Sequence, residues 1–193
     1  MVSSIREFRK DDFETLWRID QECFVPGIAY SRLELAAYIR LSGSFTLVAE
    51  GGKAEQEVNG LNPEAEARTP KARDSEAKAP DPSGGLSSNH LGILGFVVSN
   101  ANRFGAGHII TIDVLPKQQR SGVGSLLLKA AEGRLREAGC KFVRLETAVN
   151  NTSALSFYKR HGYFLVRTLR RYYPDGSDAL VLRKELLSPA PDR

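Results

Sequence analysis

Ile112-Asp113-Val114-Leu115-Pro116-Lys117-Gln118-Gln119-Arg120-Ser121-Gly122-Val123-Gly124-Ser125 is the stretch whose reading decides the fold. A strand ends at a proline, a polar turn follows, and two glycines one residue apart open an amphipathic helix. N–H groups at a helix start lack partners within the helix. The helix dipole favours negative charge there, and glycine lets a phosphate approach the main chain closely. The segment therefore reads as a pyrophosphate cradle. It is no Walker loop, since no Gly-Lys-Ser/Thr follows, and it lacks the first glycine of a dinucleotide fingerprint.

Upstream, Ile5 to Phe8 alternates as a short strand, and Asp11 with Glu14 suggests a capping box for a helix through Leu16 and Trp17, ended by Pro26-Gly27. Ser31 with Glu34 suggests a second box, for a helix to about Arg40, and Phe45 to Ala49 reads as a strand. Residues 51–89 are rich in Ala, Glu, Lys, Pro, Gly and Ser and poor in large apolar residues, which predicts a disordered insertion within a hairpin. Strands are expected at Leu91 to Val98 and Gly107 to Val114, then a helix from Gly122 to Ala138 stopped by Gly139. A strand at Phe142 to Thr147, a helix from Thr152 to Arg160 ended by Gly162, and strands at Tyr163 to Leu169 and Asp178 to Lys184 around Pro174-Asp175-Gly176 complete the chain. The order β-α-α-β-β-β-α-β-α-β-β predicts an α/β domain over residues 1–187. It would hold one mixed sheet of about seven strands, one strand–helix–strand crossover, helices on both faces and a tail at 188–193.

The 193 residues, 41% hydrophobic and 26% charged, suit a single domain with an ordinary core. The net charge of +4 suits a polyanionic small molecule and does not by itself call for nucleic acid. No Lys/Arg run is interleaved with aromatics as in single-strand binders. Cys23 and Cys140 form neither a zinc site nor a disulfide framework, and both read as small buried hydrophobes in a reducing compartment. The N-terminus has no apolar signal core and no stretch reaches the roughly 20 apolar residues of a membrane span, so a cytoplasmic location off the membrane is expected. No metal is expected.

Gln119-x-x-Gly122-x-Gly124 resembles motif A of the GCN5-related N-acetyltransferase (GNAT) superfamily. Leu145-Glu146-Thr147, Asn150-Asn151, Ala154, Phe157-Tyr158 and His161-Gly162-Tyr163 resemble its downstream block, and Tyr172-Tyr173 with Asp175-Gly176 and Asp178-Ala179 resembles its RimI and Ard1 branch. The resemblance implies the GNAT fold, acetyl-CoA as co-substrate and a peptide or protein N-terminus as acceptor. It implies that Ile112, Asp113 and Val114 pair with the pantetheine arm, the Val114 N–H polarising the acetyl carbonyl. Gln119, Arg120, Ser121, Gly122, Val123, Gly124 and Ser125 would form the pyrophosphate site, and Asn151 would touch the cofactor. Glu146 would be the general base and Tyr158 the general acid. Tyr30, Tyr172 and Tyr173 would line the substrate entry, where Arg170-Arg171 adds positive charge. Ser121 departs from the pattern, which often has a second basic residue there. A small-molecule amine as acceptor, or a non-catalytic acyl-CoA-binding module, are the rival readings. His90 and His108 join no constellation in the sequence, and His161 reads as a helix-end cap or a surface residue.

Overall fold

The computed structural model describes residues 2–24, 28–52 and 92–187. The elements follow the expected order: β1 (Val2–Glu7), α1 (Phe13–Cys23), α2 (Arg32–Arg40), β2 (Ser44–Gly51), β3 (Ile93–Ala101), β4 (Ala106–Val114), α3 (Val123–Glu137), β5 (Phe142–Ala148), α4 (Thr152–Arg160), β6 (Phe164–Leu169) and β7 (Ala179–Glu185). The expected insertion begins later than its composition suggests, because β2 runs through Gly51. Its remainder beyond Gly52, like Pro26-Gly27 and the tail, lies outside the described residues.

One seven-stranded sheet has the order β1-β2-β3-β4-β5-β7-β6. β1 to β4 form an antiparallel meander, and β5 joins β4 in parallel. β7 lies between β5 and β6 and is antiparallel to both, so β5 and β6 run parallel. α4 is thus a second crossover where the sequence suggested one. Hydropathy marks each strand but not its neighbour, and only long-range pairing inserts β7 there.

Strand alternation splits the apolar residues between two cores. Val48, Phe96 and Val98 meet Leu16, Ile19 and Leu35 of α1 and α2. Leu47, Val97 and Ile109 face the other way, onto Val123, Leu127, Leu128 and Leu135 of α3. Each such buried side chain contributes about 1.5–3 kcal/mol, against roughly 1 kcal/mol for a helix cap, so the cores dominate.

The caps fix where the helices point. At α2 the expected box forms: the Ser31 hydroxyl accepts from the Glu34 N–H, and the Glu34 carboxylate accepts from the Ser31 N–H at 2.8 Å. At α1 the expected Asp11–Glu14 box does not form. A 3-10 turn, Lys10–Asp12, intervenes, and buried Asp12 accepts from the Arg9 N–H at 2.7 Å while pairing with Arg6 at 2.6 Å. The guanidinium sets the carboxylate that the turn uses. α4 ends in a Schellman motif: the Tyr163 N–H donates to Tyr158 O and the Gly162 N–H to Lys159 O, with Gly162 at φ +83°. The accompanying ring contact, 5.4 Å between centroids, joins Tyr163 to Tyr158.

Candidate active site

The site begins where two neighbouring strands part. β4 and β5 pair only at Ala106↔Phe142, Gly107↔Val143 and His108↔Arg144. Beyond that point β4 stays with β3 to Gly95↔Val114, and β5 stays with β7 to Ala148↔Ala179. A β-bulge lies at the divergence: Val98 pairs with Thr111 and Ser99 with Ile109, leaving Ile110 extra in β4. Bulges bend a strand and strengthen its local twist. The Leu115 N–H donates to Leu94 O at 3.0 Å. Backbone groups alternate along a strand, so Ile112 and Val114 turn theirs away from β3 and into the gap. Such an open edge can pair with an extended polyamide.

Val114 O is held from two sides, by the Cys23 thiol at 3.2 Å and the Gln119 side-chain amide at 3.2 Å. Cys23 is therefore more than a small hydrophobe. Burial pushes its thiol up to about 12, which keeps the S–H donor in place. The Gln119 side chain ties the turn to the strand end.

After Val114 the turn is wound for anion binding. Arg120 has φ +60° and Gly122 φ +93°. Left-handed residues alternating with ordinary ones aim successive N–H groups at one point. Gly122 is the N-cap of α3 and supplies no side-chain bond, and the first helical bond returned to it comes from the Leu126 N–H. The N–H groups of Val123, Gly124 and Ser125 thus precede the first helical bond. A Cβ on Gly122 would meet nothing within 4 Å, so the space beside the turn at Gly122 is open. These features fit a pyrophosphate. Two hydroxyls of the expected set are engaged within the chain: Ser121 donates to Gln118 O at 2.5 Å, and Ser125 bonds His161 Nε2 at 2.9 Å. His161 caps α4 as expected, and its ring also braces this turn. Asn151 is the N-cap of α4, its side-chain oxygen accepting from the Ala154 N–H at 3.0 Å. The motif hid that structural role.

Glu146 and Tyr158 approach the gap from opposite faces. Leu145 is buried toward α3 with Tyr158, so alternation along β5 turns Glu146 to the other face. There Glu146 Oε2 meets His108 Nε2 at 2.6 Å, and Arg144 stands 3.5 Å from Oε1. Burial pushes the Glu146 carboxyl up, but the His108 hydrogen bond and the electrostatic pull of His108, Arg144 and Arg167 prevail and hold it below its ordinary value. His108 was invisible as a partner in the sequence. Its signal is the register His108↔Arg144, which sets it diagonally across from Glu146. Tyr158 is buried, and desolvation raises its hydroxyl, keeping the proton on.

The tyrosines collect on the Glu146 side. Tyr30 stacks edge-on with Tyr38, and Tyr172 with Tyr173, each pair at 5.1 Å. Both Tyr172 and Tyr173 lie within electrostatic reach of Glu146. Tyr38 joins them without having been singled out by its sequence context. Tyr30 is clamped through its backbone: its N–H donates to Asp20 at 2.8 Å, and its carbonyl accepts from Trp17 and Gln21 at 3.2 and 2.9 Å. Beneath lies Asp113, buried on β4. Burial pushes its carboxyl up to about 8 against the 2.6 Å bond from the Thr111 hydroxyl. The side chain of Asp113 therefore points into the α1 interface, and by the same alternation its backbone groups turn to β3, which leaves the open edge to Ile112 and Val114.

Residues 55–163, more than half of the chain, match the Acetyltransferase (GNAT) family. The chain belongs to the GNAT acetyltransferase family. This GNAT chain is 38% identical over 81 residues to the N-alpha-acetyltransferase of Sulfurisphaera tokodaii, covering 42% of this chain and 48% of that protein. It is 40% identical over 80 residues to human N-alpha-acetyltransferase 30, covering 42% of this chain and 22% of that protein. The matched segment thus spans about half of the first relative and less of the second. In fold, it resembles Ard1 from Thermoplasma volcanium, with a TM-score of 0.69, 24% identity, and 96% and 98% of the two chains covered. The ribosomal-protein-S18-alanine N-acetyltransferase of Escherichia coli gives a TM-score of 0.69 at 16% identity, covering 98% and 97%.

Proposed function

We propose that this chain transfers an acetyl group from acetyl-CoA to the N-terminal α-amine of a peptide or protein, as an enzyme of the RimI and Ard1 branch. The observation that carries the reading is the β4–β5 gap, open to the anion cradle on one face and to the His108–Glu146 pair on the other. Relatives named N-alpha-acetyltransferase support the choice of acceptor.

Arg120 to Ser125 would hold the pyrophosphate, and the open edge at Ile112 and Val114 the pantetheine. Acetyl-CoA supplies an acetyl thioester that a neutral amine can attack directly, so no covalent enzyme intermediate is involved. An α-ammonium has a pKa of about 7.7–8.0, so neutralising it near pH 7 costs roughly 1 kcal/mol, against about 4–5 for lysine. His108, bonded to Glu146 at 2.6 Å, forms a base pair with it: the imidazole accepts the amine proton and the carboxylate stabilises the resulting cation. Glu146, held below its usual value, is a weak acceptor without its partner. The Val114 N–H polarises the carbonyl. Tyr158, kept protonated by burial, donates to the departing thiolate. Tyr30, Tyr172 and Tyr173 orient the N-terminal residue.

Thiol release from acetyl-CoA, followed with short free-N-terminal peptides and with simple amines, tests the assignment. Turnover on peptides is expected; turnover on amines with none on any peptide would overturn it.

A further inference from the structure

The face of the sheet that carries Glu146 continues beyond it. α1 packs on β3 and β4 and α2 on β2, so across β5, β7 and β6 no packed helix covers this face among the described residues. Register places the exposed side chains in rows. Glu146 pairs with Val181, and Val181 with Arg167; one step along, Arg144 pairs with Arg183. A second bulge sets this arrangement. Leu165 pairs with Leu182 but Arg167 with Val181, leaving Val166 extra. Without the bulge, Val166 would pair with Val181 and Arg167 would turn to the opposite face. Arg144, Arg167 and Arg183 line, with Phe142 and Val181, a shallow depression of about 240 Å³. Arg183 lies over the Phe142 ring at 3.8 Å and bonds Glu185 at 2.8 Å. Arg167 is exposed and holds no ion pair among the described residues.

We infer that this arginine face selects substrates with an acidic side chain at the second or third residue. The inference rests on the N-terminal acetyltransferase reading above. Adjacent strands are about 4.8 Å apart, so Arg167 stands roughly 10 Å from Glu146 along its row. An extended peptide advances about 3.4 Å per residue. With its α-amine at His108–Glu146 and its chain crossing β7, its second and third side chains come within reach of Arg167 and Arg183. A planar guanidinium suits a carboxylate there. The carrier of charge is this sheet face, ahead of the Arg170-Arg171 pair that the sequence pointed to.

The test compares kcat/KM for two peptides of equal length, one with Asp at positions two and three and one with Lys. The parent is expected to favour the acidic peptide by roughly tenfold in low salt, and less in high salt. The double variant Arg167→Glu/Arg183→Glu is expected to reverse the order. Because both peptides meet the same variant, any effect on the His108–Glu146 base cancels in the ratio. Equal rates on both peptides, or an unchanged ratio in the folded double variant, overturn the inference while leaving peptide acetylation standing. Failure of the parent to acetylate any peptide sinks the underlying reading instead.

Discussion

Glu146 and Tyr158 show what a single side chain can and cannot reveal before its neighbours are known. The family resemblance pointed to both, and the structure sets them on opposite faces of the β4–β5 gap. What stayed hidden was His108, 38 residues before Glu146 in sequence and 2.6 Å from it in space. No local pattern links them, because only the short parallel register of β4 with β5 does. Cys23 is a similar case, its thiol fixing the carbonyl of Val114 from α1. If the proton leaves through Tyr158 and arrives through His108–Glu146, Tyr158→Phe and Glu146→Gln should each lower kcat about 10²-fold or more. KM for acetyl-CoA should move far less, since neither touches the pyrophosphate turn. Steady-state kinetics decides it: full kcat in both folded variants contradicts the roles.

At the scale of elements, β4 does two jobs that conflict. Its edge must stay open, and its other face must pack on α1, yet Asp113 is buried in that packing with Oδ2 unbonded among the described residues. Its folded pKa of about 8 lies above the ordinary carboxylate value. The native state therefore holds a proton that the unfolded chain releases between about pH 4 and 8, and stability is lost as pH rises through that window. Asp113→Asn should accordingly flatten the pH dependence and melt higher than the parent at pH 9, with a smaller gap at pH 5. Thermal unfolding at both values is the check, and a variant less stable than the parent at pH 9 contradicts it. The helices and strands themselves were largely legible, because hydrophobic period, Ser31 with Glu34, and the glycines after α3 and α4 are local signals. The Asp11–Glu14 box was a false one, since Arg6, on a different element, redirects Asp12. The two bulges, at Ile110 and Val166, were invisible because register is a property of paired strands.

For the whole molecule, the sheet separates two supplies. The cradle turn, α3 and α4 stand on one side, where the proposed function puts the acyl donor; the tyrosines, His108–Glu146 and the open arginine face stand on the other, where it puts the acceptor. Among the described residues they meet at the gap between β4 and β5. The order of elements was readable from the sequence, but the strand order that makes β7 a neighbour of β5 was not, and that neighbour builds part of the face proposed to receive the acceptor. Such a site should discriminate between amines by proton affinity and by access. The most direct test is a peptide carrying a free α-amine and an internal lysine, incubated with acetyl-CoA near pH 7 and fragmented in a mass spectrometer. One acetyl group on the α-nitrogen and none on the lysine is the result predicted; acetylation of the lysine, or of neither nitrogen, would contradict it.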